Sequence, residues 1–177
     1  MADSEKLISS KTLYQGRVVG VRRDRVIEPG GVSVSRDVVT HQGSVVVLPV
    51  FPDGRILMVR QYRHAAGRFL WELCAGRKEP GESWLKAAQR ELREETGFRA
   101  GRLRKLLAMY PTHGFVTERM IVYVADGLRH DPAVPDKDER ITTRQFTLAE
   151  LLRWVRAGRI MDAKSVAGIL YYARFRS

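Results

Sequence analysis

Gly76-Arg77-Lys78-Glu79-Pro80-Gly81-Glu82-Ser83-Trp84-Leu85-Lys86-Ala87-Ala88-Gln89-Arg90-Glu91-Leu92-Arg93-Glu94-Glu95-Thr96-Gly97-Phe98 is the stretch that decides the reading of this chain. From Glu82 onward the spacing predicts a helix. Leu85, Ala88 and Leu92 recur at i, i+3 and i+7 as a stripe for the core. Glu82 and Ser83 open the helix, an acid in the first turn suiting its dipole. Gly97 ends it at the position that accepts positive φ. Glu82, Glu91, Glu94 and Glu95 crowd onto or beside this helix, and like charges one turn apart repel. A helix advances about 100° per residue, so Glu91 and Glu95 project about 40° apart, with Glu94 about 60° from Glu91 on the other side. Carboxylates so placed can grip a hard divalent cation, which prefers oxygen donors. Arg90, four residues before Glu94, can brace the cluster with its rigid fork. A Glu/Arg-rich helix is otherwise a solvated face of i,i+4 pairs.

Working outward, Val45–Phe51 is a strongly apolar strand, and Pro52-Asp53-Gly54 turns it back into 55–63, predicting a hairpin. Residues 12–27 and 32–40 alternate as a small antiparallel lead-in around the turn Glu28-Pro29-Gly30-Gly31. Further strands are expected at 69–73, 103–110, 119–125 and 141–146, with a Pro- and Asp-rich loop over 130–140. Thr147 and Glu150 have the spacing of a capping box for a helix to Ala157. Asp162 is placed to cap a last helix over 163–175. Mixed strands and helices make the fold class α/β, an α+β mixed sheet.

The 177 residues suit one compact domain with short extensions, and 44% hydrophobic content suits a globular protein. No run approaches the roughly 18 apolar residues of a membrane span. The polar start, Met1 to Lys6, lacks the apolar core of a signal peptide, which predicts a cytoplasmic protein. Cys74 is the only cysteine; it lies in an apolar run and reads as a small buried hydrophobe. The net charge of +11 is spread along the chain without a clustered stripe. It reads as a solvated basic surface or as an attractive field for an anionic ligand, and either way does not identify a nucleic-acid binder.

The pattern G-x5-E-x7-R-E-L-x-E-E-x-G-F resembles the box of the Nudix hydrolases at every defining position. The resemblance implies an α/β/α sandwich and hydrolysis of a nucleoside diphosphate linked to another group. It also implies a divalent metal, Mg²⁺ with Mn²⁺ as a substitute, held by Glu91 and Glu95 with the Ala75 carbonyl as a third ligand. Glu94 and Glu82 are further candidates. Val59-Arg60-Gln61-Tyr62-Arg63 and Trp71-Glu72-Leu73-Cys74-Ala75-Gly76 look like the V-R-Q-Y-R and W/L-E-x-P-A-G stretches of the ADP-ribose pyrophosphatase branch. On that likeness Arg60, Arg63 and Glu72 fall on the substrate side, where each guanidinium can hold phosphate bidentately. Three positions apart, the two arginines share a strand face only if an irregularity intervenes. The branch supplies a catalytic Glu from a loop like Asp136–Glu139, so Glu139 is the candidate general base, with Asp138 or Glu94 as alternatives. Glu118 could assist at metal or ribose.

Tyr14, Tyr62 and Trp71 are candidates for adenine stacking, or else core or interface aromatics. In the branch the N-terminal strands pair with a second subunit. Residues 1–42 are therefore expected to be a dimerisation element of a homodimer and 43–177 the hydrolase domain. Cys74 stands where the branch often has Pro, Tyr110–Gly114 replaces a more usual Ser-Pro-Gly, and Lys137 interrupts an acidic loop. These departures leave GDP-sugars or other ADP-sugars open as substrates. An RNA 5′-pyrophosphohydrolase and a non-catalytic ligand-sensing module remain as alternatives.

Overall fold

The computed structural model describes residues 4–132 and 140–175. In chain order these form β1 (Lys6–Gln15), β2 (Gly20–Ile27), β3 (Ser33–Thr40), β4 (Ser44–Pro49), β5 (Ile56–Arg63), β6 (Arg68–Glu72), β7 (Cys74–Arg77), α1 (Trp84–Thr96), β8 (Phe98–Arg99), β9 (Arg102–Met109), β10 (Met120–Asp126), β11 (Arg129–His130), β12 (Thr142–Phe146), α2 (Leu148–Arg156) and α3 (Ala163–Phe175). The expected mixed α/β class is what the chain adopts. No helix among the described residues is long and apolar enough to cross a membrane.

The chain divides into two compact units, residues 1–43 with 110–119, and 44–109 with 120–177. In the first, β1, β2 and β3 form an antiparallel sheet in that order. The alternation places the start of this lead-in at residue 12; the first strand already begins at Lys6. The segment 110–119 joins through Val39, whose N–H donates to the Phe115 carbonyl at 2.8 Å and whose carbonyl accepts from Thr117 N–H at 2.9 Å.

The second unit is built around β4. Val45, Val46, Val47 and Leu48 are wholly buried, as expected of β-branched and apolar residues in a central strand. Their side chains alternate between two cores. Val45 and Val47 pack with Ala87, Ala88 and Leu92 of α1. Val46 and Leu48 pack with Phe146, Leu151 of α2 and Ile169 of α3. This puts α1 on one face and α2 with α3 on the other, the layering the sequence resemblance implies.

Sheet pairing corrects one expectation. Val45–Phe51 and 55–63 do not form a hairpin. β4 lies between β7 and β10 in the order β7-β4-β10-β9, whereas β5 is the middle strand of β12-β5-β6. The turn itself is closed by a bridge at Val50 and Ile56 and by the Phe51 N–H to Arg55 carbonyl and Gly54 N–H to Phe51 carbonyl bonds, each 2.9 Å. The physical reason is that both strands are buried and central, so each takes partners on both edges and cannot pair with the other. Phe146 from β12 then packs edge-on against Trp71 at 5.2 Å and Trp154 at 4.9 Å.

Candidate active site

The local sequence fixes α1 at both ends. Ser83 is the N-cap and accepts from Lys86 N–H at 3.3 Å. Gly97, at φ 72°, returns its N–H to the Arg93 carbonyl at 2.9 Å, the left-handed stop that glycine accepts without strain. Two details depart from the sequence expectation. Leu85 is exposed, and the buried face is Ala87, Ala88, Leu92 and Glu95. Glu82 precedes the cap and is not in the first turn; its carboxylate accepts from Glu79 N–H at 3.1 Å. The Ala87–Ala88 pair lets the helix sit close to β4 and β7, which turns the core-facing side by about one residue and leaves Leu85 outside.

An acid therefore sits on the core side of an amphipathic helix. Glu95 is 8% exposed, and its Oε2 accepts the Ala75 N–H at 3.1 Å. Burying a carboxylate is costly unless it is hydrogen-bonded or neutralised. One turn earlier, Glu91 lies over Gly76. A Cβ at Gly76 would collide with the Glu91 carboxylate, so glycine here provides close approach rather than unusual dihedrals.

Arg90 ties the remaining acids together. Its Nε and Nη2 donate to the two Glu82 oxygens, each at 3.1 Å. Nη1 donates to Glu91 Oε1 at 2.7 Å and Glu94 Oε2 at 3.0 Å, and Nη2 also reaches the Arg77 carbonyl at 2.9 Å. Burial works against its charge, but Glu82, Glu91 and Glu94 outweigh that and raise the guanidinium well above its ordinary pKa. In return, Arg90 holds the Glu82 carboxyl below the usual range despite some desolvation. The crowding of carboxylates and the all-oxygen donors, with Glu91 brought close over Gly76, fit a hard divalent cation. Among the described residues no three His, Cys, Asp or Glu side chains make a closed metal cage. Mg²⁺ does not require one, because it uses one or two carboxylates and completes its shell with water and substrate oxygens.

Cys74, beside Ala75 in β7, is a buried free thiol as expected. Burial, reinforced by Glu95, pushes its pKa well up. It is an inert neighbour of the acid cluster.

The substrate-side residues separate. β5 and β6 pair without a shift from Val59–Glu72 to Arg63–Arg68, so no irregularity brings Arg60 and Arg63 to one face. Arg60 is exposed, its guanidinium 4.6 Å from the centre of the Phe69 ring. Tyr62 meets the same ring edge-on at 5.3 Å. Arg63 points the other way and clasps Glu72 bidentately, both bonds 2.8 Å. Glu72 is 1% exposed and also receives Lys164 Nζ at 2.5 Å. Desolvation would raise its pKa, but Arg63 and Lys164 prevail and lower it. The sequence does not point to Lys164, the Glu72 partner on α3. The Asp162 cap is visible in the sequence, whereas a partner 92 residues away has no local signature.

Trp71 is a core aromatic, packed on Phe146 and Trp154. Tyr14 is exposed on β1. In the first unit Glu118 lies 3.7 Å from His41 Nδ1. Glu139 and Asp138, the candidate bases on the loop, lie outside the described residues.

A sequence model described as the NUDIX domain matches residues 40–166. The chain belongs to the Nudix family. An ADP-ribose pyrophosphatase of Mycobacterium tuberculosis is 41% identical over 166 residues, 92% of this chain and 80% of that protein. An ADP-ribose pyrophosphatase of Bacillus subtilis is 36% identical, covering 94% of this chain and 91% of its own length. Among solved structures, one titled as an ADP compounds hydrolase superposes with a TM-score of 0.84 at 22% identity, over 96% of this chain and 92% of the other. At that identity the superposition shows the Nudix fold.

Proposed function

We propose that this Nudix protein hydrolyses the diphosphate of ADP-ribose, releasing AMP and ribose 5-phosphate. The observation that carries the reading is the Arg90 clamp, one guanidinium holding Glu82, Glu91 and Glu94 while Glu95 is buried one turn on. A surface helix would have no reason to concentrate acids against the core. The named relatives support the choice of ADP-ribose among diphosphate sugars.

Glu91 and Glu95, with the Ala75 carbonyl, would hold Mg²⁺ or Mn²⁺, and Glu94 could serve a second ion. When bound, the ion supplies charge neutralisation and polarises a phosphoryl oxygen. The protein's own groups do the rest. Arg90 keeps three carboxylates oriented so that they do not repel one another away from the site. Arg63 offers donors to the diphosphate, while Arg60, on the opposite face of β5 over the Phe69 ring, does not share that role. Because Arg63 Nε and one Nη2 proton are held by Glu72, the side of the guanidinium that carries Nη1 and the second Nη2 proton is the one that would meet a phosphate. Glu139 would take the proton from the attacking water, with Asp138 or Glu94 as the alternative base. The water attacks phosphorus in line with the departing phosphate oxygen.

A homodimer belongs to the same reading. Every residue of edge strand β1 is exposed, including Leu7, Ile8, Leu13 and Tyr14, and such an edge invites pairing with a second copy. A cytoplasmic setting belongs to it as well, since that compartment suits a lone reduced thiol. Incubation with Mg²⁺ and ADP-ribose, ADP-glucose, GDP-mannose and triphosphate-ended RNA decides the substrate. AMP and ribose 5-phosphate should appear fastest from ADP-ribose. A clear preference for GDP-mannose or RNA would replace it, and no turnover of any would leave a ligand-sensing module.

A further inference from the structure

Arg63, Glu72, Lys164 and Asp162 form, in that order, a partly buried chain of ion pairs, a charge quartet. Lys164 is 9% exposed and Glu72 1%. Lys164 Nζ lies 2.5 Å from Glu72 Oε2 and 2.8 Å from Asp162 Oδ1. Asp162 Oδ2 accepts from Ser165 N–H at 3.0 Å and from the Ser165 hydroxyl at 2.5 Å. The Ser165 Oγ in turn accepts the Leu73 N–H at 2.7 Å, between Glu72 and Cys74. The quartet thereby fastens the start of α3 to the junction of β6 and β7. Two residues further along β7, the Ala75 N–H already meets Glu95 of the acid cluster.

Its charges balance. Glu72 and Asp162 contribute two negative charges, Arg63 and Lys164 two positive. Arg63 alone is substantially open to solvent, 39% of its side chain against 2% for Glu72, 10% for Lys164 and 17% for Asp162. If Lys164 were neutral, two acids would answer to the single guanidinium. Arg63 would then present a net negative surrounding to any anion that approached its Nη1 edge.

We propose that Lys164 is a positioning residue for substrate: it offsets one of the two negative charges of Glu72 and Asp162, so that the Arg63 guanidinium is not outweighed by acids when an anionic diphosphate approaches. The inference rests on the hydrolase reading above and adds to it a residue that never touches the substrate. Lys164 acts on binding of the ground state and transition state alike, so its loss should appear in KM rather than kcat. A unit charge roughly 10 Å away, at an effective dielectric of ~20, changes the affinity of an anion about tenfold.

The test compares wild type, Lys164→Met, Lys164→Arg and the double variant Lys164→Met/Asp162→Asn for hydrolysis of ADP-ribose with saturating Mg²⁺. Thermal unfolding is recorded in parallel. Asn retains the cap oxygen at 162, so the double variant restores charge balance without restoring the ion pairs. Lys164→Met should raise KM about tenfold with kcat little changed. Lys164→Arg should recover most of the loss, and the double variant should return KM close to wild type while its melting temperature stays low. A double variant with KM as high as Lys164→Met would overturn the proposal, because the residue would then act only through packing. So would an unchanged KM in Lys164→Met, or a fall confined to kcat. Should Lys164→Met fail to fold, the double variant and Asp162→Asn carry the test; Asp162→Asn must lower KM. Failure of the hydrolase reading is separate, since wild type would then show no turnover at all.

Discussion

Replacing Gly76 by Ala should separate catalysis from folding. The backbone at Gly76 does not have positive φ, so Ala is compatible with its conformation. The added Cβ would land on the Glu91 carboxylate. That carboxylate is the end of a flexible side chain, and β7 is pinned to β4 through the Val45–Gly76 pair; Glu91 is what must move. Its 2.7 Å bond to Arg90 is then lost, a charge-assisted bond worth about 1.5–3 kcal/mol. Arg90 keeps Glu82, Glu94 and the Arg77 carbonyl, which favours the low end. The smaller conformational entropy of the unfolded Ala chain returns about 0.4–1 kcal/mol. The net cost is about 1 kcal/mol, a fall in melting temperature of ~2–4 °C for a chain of this size. Activity should respond far more, because a misplaced catalytic group costs about 100-fold for a displacement of ~1 Å. Scanning calorimetry and steady-state hydrolysis of ADP-ribose across a Mg²⁺ titration provide both readings. If kcat/KM stays within roughly threefold of wild type and the Mg²⁺ dependence is unchanged, Glu91 is not a metal ligand and the reasoning is refuted.

Glu95→Gln should lower kcat by about 100-fold or more while the protein still folds, because the amide retains an oxygen for the Ala75 N–H but not the charge; near-normal turnover would remove Glu95 from the chemistry. Glu139→Gln should reduce turnover and leave Mg²⁺ affinity intact, which calorimetric titration of the metal can check, and an equal rate would move the base to Glu94 or Asp138. For pH, the Glu72 carboxyl titrates below its ordinary value when folded. Its contribution to stability is therefore complete above the unfolded pKa of about 4.3 and is lost as pH falls through the lower folded value. Wild type should lose stability on acidification through that window more steeply than Glu72→Gln, as measured by urea unfolding at several pH values; parallel curves would show that Glu72 is not held as the anion.

The box helix is legible in the sequence because its signals are local. Gly97, Thr147, Glu150 and Asp162 each act within a few residues of themselves, and each cap forms as the sequence indicates, while Ser83 takes the N-cap of α1 just past the acid that the sequence reading put in the first turn. Leu85 escapes this reading because tertiary contact sets the inward face: the small Ala87 and Ala88 let the strands approach, and the helix turns accordingly. The hairpin at 45–63 fails for a related reason. A turn and two apolar runs specify a reversal of the chain, but not which strands will lie beside each run. The opposition of Arg60 and Arg63 follows from the strand period of two, which the sequence states only conditionally. The quartet at Arg63, Glu72, Asp162 and Lys164 is hidden because its attractions join positions far apart in the chain, where no spacing rule operates.

The alternation along β4 has a consequence for how this enzyme can change. Odd-numbered valines serve α1, and even-numbered residues serve the two C-terminal helices. A slip by a single position would hand each layer the other's side chains at once. The strand thus acts as a common ruler for both layers: insertions are best absorbed in the loops at its ends, and a change of bulk at Val46 should reach α2 and α3 before it reaches the carboxylates.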